Sequence, residues 1–142
     1  MTYVNGLPEG LEPHVPLLMG LVFGRVRGRL AQEAPALRPS QLRVLEWLPA
    51  GGLTISELAE RTGMTTQGCG QFVRQLAGTG MVEVGPDPRD HRAKRVTITD
   101  LGREGLARAR GVLDSCEREW ADSVGAERYR VFREVLEQVA RG

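Results

Sequence analysis

The segment TISELAERTGMTTQGCGQFVRQLAGTG constrains the fold most, because it has the pattern of two short helices joined by a tight turn. Thr54 and Glu57 have the S/T-x-x-E spacing of a capping box, and Gly63 is placed to end the helix that this box begins. Thr65 or Thr66 can cap a second helix, in which apolar residues recur at helical spacing before two closing glycines. Two short helices joined by a glycine-containing turn are typical of a helix-turn-helix.

Two short runs with alternating apolar residues, MVEV and VTIT, follow the second helix. The alternation predicts two β-strands, and the short loop between them predicts a hairpin. This loop is strongly basic although the chain is nearly neutral, with 19 Lys and Arg against 18 Asp and Glu. Its cations are Arg89, Arg92, Lys94 and Arg95. A helix-turn-helix followed by such a hairpin predicts a winged helix.

Apolar residues also recur at helical spacing on both sides of the winged helix. The three stripes are Leu18, Val22, Val26 and Leu30; Leu106, Ala109, Leu113, Cys116 and Trp120; and Tyr129, Phe132, Leu136 and Val139. A single small winged helix cannot cover such stripes, so they predict a two-fold homodimer. We therefore expect one domain over residues 1–142, mainly α with a small β-hairpin. In it, a winged helix at about 38–99 lies between dimerisation helices at about 11–34 and 100–141.

The rest of the sequence argues against a membrane protein, a secreted protein and an enzyme. No apolar run reaches the roughly 18 residues of a membrane span, and the N-terminus lacks a secretory signal, so we expect a cytoplasmic protein without membrane contact. Cys69 and Cys116 are too far apart to indicate a disulfide framework or a metal pair. No cluster of catalytic residue types is evident, and we expect neither enzyme activity nor a cofactor or metal.

Three motifs of the chain resemble the multiple antibiotic resistance regulator (MarR) family: ISELAERTGMTT, FVRQLAGTGMVEV and DPRDHRAKRVTITDLG. The last is the most specific, since it combines D-P-R-D-x-R with a short basic run, a strand, and Thr and Gly at the start of a long helix. The resemblance covers nearly the whole chain. It implies a homodimeric winged-helix regulator that binds a pseudo-palindromic operator in double-stranded DNA, often as a repressor that a small ligand or an oxidant releases.

The second helix of the helix-turn-helix is expected to enter the major groove by its N-terminal half. Candidates for contacts with bases or phosphates are Thr65, Thr66, Gln67, Gln71 and Arg74. Ser40 and Gln41, at the start of an earlier helix, are candidates for phosphate contacts through helix-terminal amides. Gly68 and Gly70 depart from the family pattern. We interpret them either as allowing the helix backbone to lie close to DNA or the helix to adjust on binding, or as signs of a decayed DNA-binding face.

The basic hairpin loop is expected to reach the minor groove, where a strong negative potential attracts arginine. Arg92 matches the family's wing-tip arginine and is the first candidate for this role. Further candidates for DNA contacts are Arg89, Lys94 and Arg95. Asp87 and Asp90 are expected to support the wing, because aspartate accepts hydrogen bonds from turn amides and can hold a neighbouring arginine.

A ligand cavity between the dimerisation helices and the winged helix is a further hypothesis. Its candidate lining residues are His14, Phe23, Trp47 and Trp120, although a place in the core is the favoured interpretation of the aromatics. Cys69 is interpreted as a small buried hydrophobe, with redox sensing as the alternative. For the whole chain, the alternative to a DNA-binding regulator is a winged-helix module for protein interaction. Salt-dependent binding to duplex DNA distinguishes the two functions.

Overall fold

A computed structural model of the chain describes residues 3–4, 7–10 and 12–142. In those residues it has the helices α1 (Val15–Glu33), α2 (Pro39–Glu46), α3 (Ile55–Thr62), α4 (Thr66–Gly78), α5 (Asp100–Val124) and α6 (Ala126–Arg141). Its strands are β1 (Tyr3–Val4), β2 (Leu7–Pro8), β3 (Leu53–Thr54), β4 (Val82–Pro86) and β5 (Lys94–Ile98). No helix in this part of the chain is long and apolar enough to cross a membrane. The predicted fold class, mainly α with a small β-hairpin in a winged helix, is confirmed.

The wing, which we define as β4, β5 and the loop between them, belongs to a three-stranded antiparallel sheet with the order β3-β5-β4. Val96 of β5 pairs with Val84 of β4 on one side and with Leu53 of β3 on the other, and its side chain is fully buried. The sequence predicts the β4–β5 hairpin and misses β3. This strand has two residues, too few to show an alternating pattern, and it leads directly into α3.

The ends of α3 and α4 carry the caps that define the helix-turn-helix. Thr54 Oγ1 accepts a hydrogen bond from the Glu57 amide at 3.2 Å, and the Glu57 carboxylate accepts one from the Thr54 amide at 3.2 Å, as the capping box predicts. Gly63 ends α3 with a φ of 69°, a left-handed conformation that glycine adopts without steric cost. Thr65 begins α4, since its hydroxyl accepts from the Gly68 amide at 3.0 Å. The turn between the two helices is therefore fixed at both of its ends.

One apolar core joins the helix-turn-helix to the wing. Its fully buried apolar side chains are Val44, Leu45, Leu58, Cys69, Val73, Leu76 and Val96. They come from α2, α3, α4 and β5 and pack in a single cluster. Burying a large aliphatic side chain contributes about 1.5–3 kcal/mol, so Val96, the member of this cluster that belongs to the wing, helps to hold the wing beside the helices.

Thr99 joins the wing to α5. Its hydroxyl accepts from the Gly102 amide at 3.1 Å, which caps α5, and donates to the Gly80 carbonyl at 2.5 Å. Its amide donates to the Met81 carbonyl at 3.1 Å. A side chain at Gly102 would collide with that same carbonyl oxygen. The first turn of α5 therefore packs directly on the chain that leaves α4.

The predicted apolar stripes of the flanking helices are only partly buried within one chain. Val26 and Leu30 of α1 lie in the core with Ala109 and Cys116 of α5, whereas none of residues 126–141 in α6 is buried. The exposed apolar residues of α1 and α6, which we call the apolar face, are Val15, Leu18, Met19, Val22, Phe23, Val131, Phe132, Val135, Leu136 and Val139. The flanking helices therefore present a large apolar surface to solvent.

Candidate nucleic-acid interface

Helix α4 has one side in the core and one side in solvent. Cys69 and Val73 face the core. The exposed polar residues predicted as contacts are Thr66, Gln67, Gln71 and Arg74. Thr65, which was predicted with them, is exposed too, but its hydroxyl serves as the cap of α4. Within Thr66–Gly78, Arg74 is the one charged residue, so charge on this surface is concentrated at a single position.

The first turn of α2 lies beside α4. Ser40 is half-buried in this turn. Gln41 bonds to the protein through both ends of its amide group: its Oε1 accepts from the Arg38 amide at 3.0 Å, and its Nε2 donates to Gln75 Oε1 at 3.3 Å. The second bond ties α2 to α4. Gln75 was not among the predicted contact residues, although it follows Gln71 by four residues and thus shares its side of the helix.

The loop between β4 and β5 closes in a hydrogen-bonded turn, residues 87–93, which we call the wing tip. The Asp87 amide donates to the Ala93 carbonyl at 3.0 Å, and the Ala93 amide donates to the Asp90 carbonyl at 2.9 Å. The Asp90 carboxylate accepts from the Arg92 amide at 3.1 Å and from Arg92 Nε at 3.3 Å. The Arg92 side chain is 94% exposed, so Asp90 orients a guanidinium that otherwise stands in solvent.

Arg95 departs from the prediction that it contacts DNA. Its side chain is 20% exposed, and its Nη1 donates to the carbonyls of Gly51 and Gly52 at 2.8 and 2.9 Å. Its Nε donates to Asp87 Oδ1 at 3.4 Å. The prediction grouped Arg95 with Lys94 as a DNA contact, whereas successive side chains of a strand point to opposite faces of the sheet. Arg95 therefore lies at the base of the wing, with its donors directed to the protein.

Asp87 is buried at the same place. Its carboxylate accepts from the Arg89 amide at 3.3 Å as well as from Arg95. Burial opposes ionisation, but the hydrogen bonds from Arg89 and Arg95 and the charge of both guanidinium groups together outweigh it, so the pKa of Asp87 is lowered. Since the pKa is lower in the folded state, the stability that Asp87 contributes is present above its unfolded pKa and is lost as the pH falls through its folded pKa.

Arg89 and Lys94 lie at the surface of the wing. The Arg89 side chain is 72% exposed, and its Nη2 lies 3.9 Å from Glu57 Oε1. Hydrogen bonds from the backbone and side chain of Thr54 lower the pKa of Glu57, which keeps this carboxylate charged beside Arg89. The cations that the wing offers to a partner are therefore Arg89, Arg92 and Lys94.

Gly68 and Gly70, in the N-terminal half of α4, differ in their surroundings. Gly70 is buried, and a Cβ there would meet one heavy atom within 4 Å, Arg74 Nη1 at 3.4 Å. A Cβ at Gly68 would lie 3.0 Å from the hydroxyl oxygen of Thr65. A close approach of DNA to the Gly70 backbone would require the end of the Arg74 side chain to move, so the structure disfavours this interpretation at Gly70. The exposed polar residues remain in place around both glycines, which weakens the hypothesis of a decayed face.

The four predicted pocket residues do not line one cavity within the described chain. The Nδ1 of His14 accepts from an amide in the first turn of α1 at 3.2 Å and so caps that helix. Phe23 is half exposed, with the Arg27 guanidinium 5.3 Å from its ring centre, and Trp47 is half exposed at the end of α2. Trp120 lines an open groove of about 360 Å³ with residues of α1 and α6, and the other three do not. The predicted shared cavity is therefore wrong for a single chain.

Both cysteines are buried as free thiols. Cys69 is fully buried in α4, and burial raises the pKa of its thiol. A raised pKa keeps the thiol protonated, and a protonated thiol is a poor nucleophile and a slow target of oxidants. Cys116 lies in the core on α5. These surroundings favour the interpretation of Cys69 as a small packing residue.

Comparison with known proteins agrees with this geometry. The MarR family model matches residues 37–93, from just before α2 to the end of the wing tip. Among curated proteins, the HTH-type transcriptional regulator TcaR of Staphylococcus aureus (strain Newman) is 28% identical over 101 residues, which cover 70% of this chain and 67% of TcaR.

Three solved structures share the fold. MarR has a TM-score of 0.79 at 18% identity, covering 95% of this chain and 92% of its own. MepR of S. aureus, solved with DNA, has a TM-score of 0.77 at 16% identity, covering 92% of this chain and 98% of its own. PcaV of Streptomyces coelicolor, solved with its natural ligand, has a TM-score of 0.74 at 22% identity, covering 100% of this chain and 99% of its own. The resemblance is confirmed: the chain has the winged-helix fold of MarR-family transcriptional regulators, and its relatives are regulators rather than enzymes.

Proposed function

We propose that this winged-helix chain of the MarR family is a homodimeric transcriptional regulator that binds a pseudo-palindromic operator in double-stranded DNA. Helix α4 enters the major groove, and the wing tip carries Arg92 into the adjacent minor groove. The observation that supports the proposal is the joint exposure of the polar side of α4 and of an arginine that Asp90 orients at the wing tip.

The exposed side chains divide by chemistry into base contacts and phosphate contacts. The amide groups of Gln67 and Gln71 can pair with adenine through two hydrogen bonds, and the guanidinium of Arg74 can pair with guanine or a phosphate. Arg89 and Lys94 contribute charge toward phosphates on either side of the wing tip. Their contribution is independent of sequence and sensitive to salt.

The homodimer is supported by the apolar face of α1 and α6. An exposed apolar surface of this kind marks a protein interface, and a second copy of the chain offers a surface of matching chemistry. We assign the winged helix to about residues 38–99 and the dimerisation helices to about residues 11–34 and 100–141. The regulator acts in the cytoplasm, where it meets DNA.

We assign the chain a repressor role that a small ligand ends. A ligand is favoured over an oxidant because both cysteines are buried and the pKa of Cys69 is raised. PcaV, which shares this fold, was solved in complex with its natural ligand, and this supports ligand control of the present chain. Such a ligand lowers DNA affinity only if it binds the DNA-free conformation more tightly than the DNA-bound one.

The proposal is tested by selecting bound fragments from random DNA duplexes and titrating the selected duplex at several salt concentrations. We expect an enriched pseudo-palindrome whose half-sites lie about one helical turn apart. We also expect affinity to fall steeply with salt. The logarithm of the association constant should fall by about 0.9 per neutralised phosphate for each tenfold rise in salt concentration. If no sequence is enriched and binding is weak at every salt concentration, the protein-interaction module replaces the regulator as the better account.

A further inference from the structure

Arg95 makes three polar contacts that connect separate parts of the winged helix. Its Nη1 donates to the carbonyls of Gly51 and Gly52, in the loop between α2 and β3, at 2.8 and 2.9 Å. Its Nε donates to the carboxylate of Asp87 at 3.4 Å. One guanidinium on β5 thus joins the end of β4 to a loop that lies more than 40 residues earlier in the chain.

Asp87 extends this connection into the wing tip. Its side chain is 6% exposed and accepts from the Arg89 amide at 3.3 Å in addition to Arg95. Its main chain donates to the Ala93 carbonyl at 3.0 Å and accepts from the Asp90 amide at 3.3 Å. Asp90 in turn holds Arg92. A continuous series of hydrogen bonds therefore runs from the loop before β3, through Arg95 and Asp87, to Arg92.

Only arginine fits the first step of this series. Its guanidinium presents donors in a rigid fork, so that it can bond two adjacent carbonyls and a carboxylate at once. Lysine supplies the same charge as a compact ammonium on a flexible stem and does not reproduce this geometry. The Arg95 side chain is 20% exposed, whereas the Arg92 side chain is 94% exposed. Arg95 therefore contacts the protein, and Arg92 is open to a partner.

We propose that Arg95 is a positioning residue, which fixes the wing against the loop before β3 and thereby sets where Arg92 meets DNA. This inference rests on the proposed DNA-binding function. The competing assignment is that Arg95 contacts a phosphate directly, as its place in a basic loop indicates. The two assignments differ in whether the effect of Arg95 on DNA affinity passes through Arg92.

A double-mutant cycle separates the two assignments. Arg95→Met in the native background should weaken binding to the selected duplex by about as much as Arg92→Ala, on the order of tenfold. In the Arg92→Ala background, Arg95→Met should change affinity by less than about twofold, because coupled residues are not additive. Equal effects in both backgrounds would overturn the proposal and make Arg95 an independent contact.

Two further variants sharpen the cycle. Arg95→Lys keeps the charge but loses the fork, so it should bind DNA as weakly as Arg95→Met, and native affinity in this variant would overturn the proposal. Lys94→Met is the matched control, since Lys94 is the neighbouring cation on β5 and is exposed. Its effect should be the same with and without Arg92.

A measurement without DNA keeps this inference separate from the proposed function. Hydrogen exchange of the Asp87, Asp90 and Ala93 amides, which are bonded within the wing tip, should be faster in Arg95→Met, while exchange in α4 and α5 stays unchanged. Failure of the native protein to bind any duplex, with faster exchange confined to the wing tip, would refute the DNA-binding function and leave the positioning contact intact. Faster exchange throughout, or unfolding of both Arg95 variants, would overturn the proposal by making Arg95 a residue of the general fold.

Discussion

At the tip of the wing, the hydrogen bonds of Arg92 within the described chain all go to Asp90. We expect Arg92→Ala to leave the melting temperature unchanged and to weaken binding to the selected duplex by about 1–3 kcal/mol, the range for one groove contact. Titration at a fixed salt concentration measures this loss. Arg110→Ala removes the same charge from an exposed site on α5 and is the control. Equal losses in the two variants would show that only net charge matters at Arg92.

Substitutions at Gly68 and Gly70 of α4 distinguish the effect of helix propensity on stability from the effect of local crowding. Glycine in a helix interior costs roughly 0.5–1 kcal/mol relative to alanine. At Gly70 a methyl group meets only the end of the flexible Arg74 side chain, so we expect Gly70→Ala to raise the free energy of unfolding by about that amount. The displaced Arg74 should weaken DNA binding. Chemical denaturation measures the first effect and titration with the selected duplex measures the second.

Gly68→Ala serves as the comparison. Its Cβ would lie 3.0 Å from the Thr65 hydroxyl that caps α4, so crowding of the cap should offset the gain in helix propensity. We expect a smaller gain in stability than at Gly70, or none. An equal gain at both positions would disprove the crowding argument, and native DNA affinity in Gly70→Ala would remove Arg74 from the contact surface.

For single residues, the sequence indicates the chemical type of a contact better than it indicates where the side chain points. The motif around Asp87 and Arg92 identified a wing and its acidic supports, because residue type and spacing are local properties. Arg95 was grouped with the DNA contacts because its carbonyl partner on Gly52 lies 43 residues away and leaves no local pattern. Trp47 and Trp120 do not line the same groove within one chain for a similar reason, since shared aromatic character does not determine a shared cavity.

Helix α5 depends on a glycine where it meets the end of α4. A methyl group at Gly102 would collide with the Met81 carbonyl oxygen and lie 2.8 Å from Cγ1 of Ile98. Main chain cannot move aside as a flexible side chain does. We therefore expect Gly102→Ala to lower the free energy of unfolding by about 1–3 kcal/mol, as overpacking does, and denaturant titration measures it.

Gly111→Ala on the same helix is the matched control for this prediction. A Cβ at Gly111 would meet nothing within 4 Å, so the substitution gains helix propensity without crowding. It should raise the free energy of unfolding by about 0.5–1 kcal/mol. If Gly102→Ala raises stability as Gly111→Ala does, the packing of α5 on Met81 is looser than the structure indicates.

The elements with local start and stop signals were the predictable ones. The capping box at Thr54 and the glycine at position 63 bound α3 as the sequence indicates. Helix α1 spans Val15–Glu33 within the expected segment of about 11–34, and it begins there because His14 caps it and Pro16 fits in its first turn. Strand β3 was missed because it exists through pairing with β5, a contact between distant parts of the chain.

In the whole molecule, polar contacts join the flanking helices α1, α5 and α6 to one another, while much of their apolar surface stays exposed to solvent. Glu117 on α5 accepts from the Tyr129 hydroxyl at 2.6 Å and from Arg133 at 2.8 Å, and both donors lie on α6. Partial burial and the negative charge of Glu117 raise the pKa of Tyr129 to about 12, so its hydroxyl stays a donor at neutral pH. Arg29 on α1 pairs with Glu119 at 2.7 Å. The Glu117 contacts place α6 but bury little of it, so we expect α6 to be stabilised by another surface.

A second copy of the chain is the occupant that we expect on this surface, and Phe132 tests it. Phe132 is 52% exposed on α6 within one chain and belongs to the apolar face. In a dimer, Phe132→Glu would bury a charge without a partner, which costs several kcal/mol. Sedimentation should give the native protein twice the 15.6 kDa of the chain and should give the variant a much larger monomer fraction.

The control variant is Gln138→Glu, at the polar border of the apolar face on the same helix. Like Phe132→Glu, it adds one negative charge to α6. Gln138 borders a surface formed by Glu134, Glu137 and Arg141, so Gln138→Glu should leave the mass of the native assembly unchanged. Because a dimer presents two copies of α4 to one duplex, Phe132→Glu should also weaken binding to the full pseudo-palindrome far more than to an isolated half-site. A native protein that sediments as a monomer, or a Phe132→Glu variant that remains fully dimeric, would show that the apolar face is not the dimer interface.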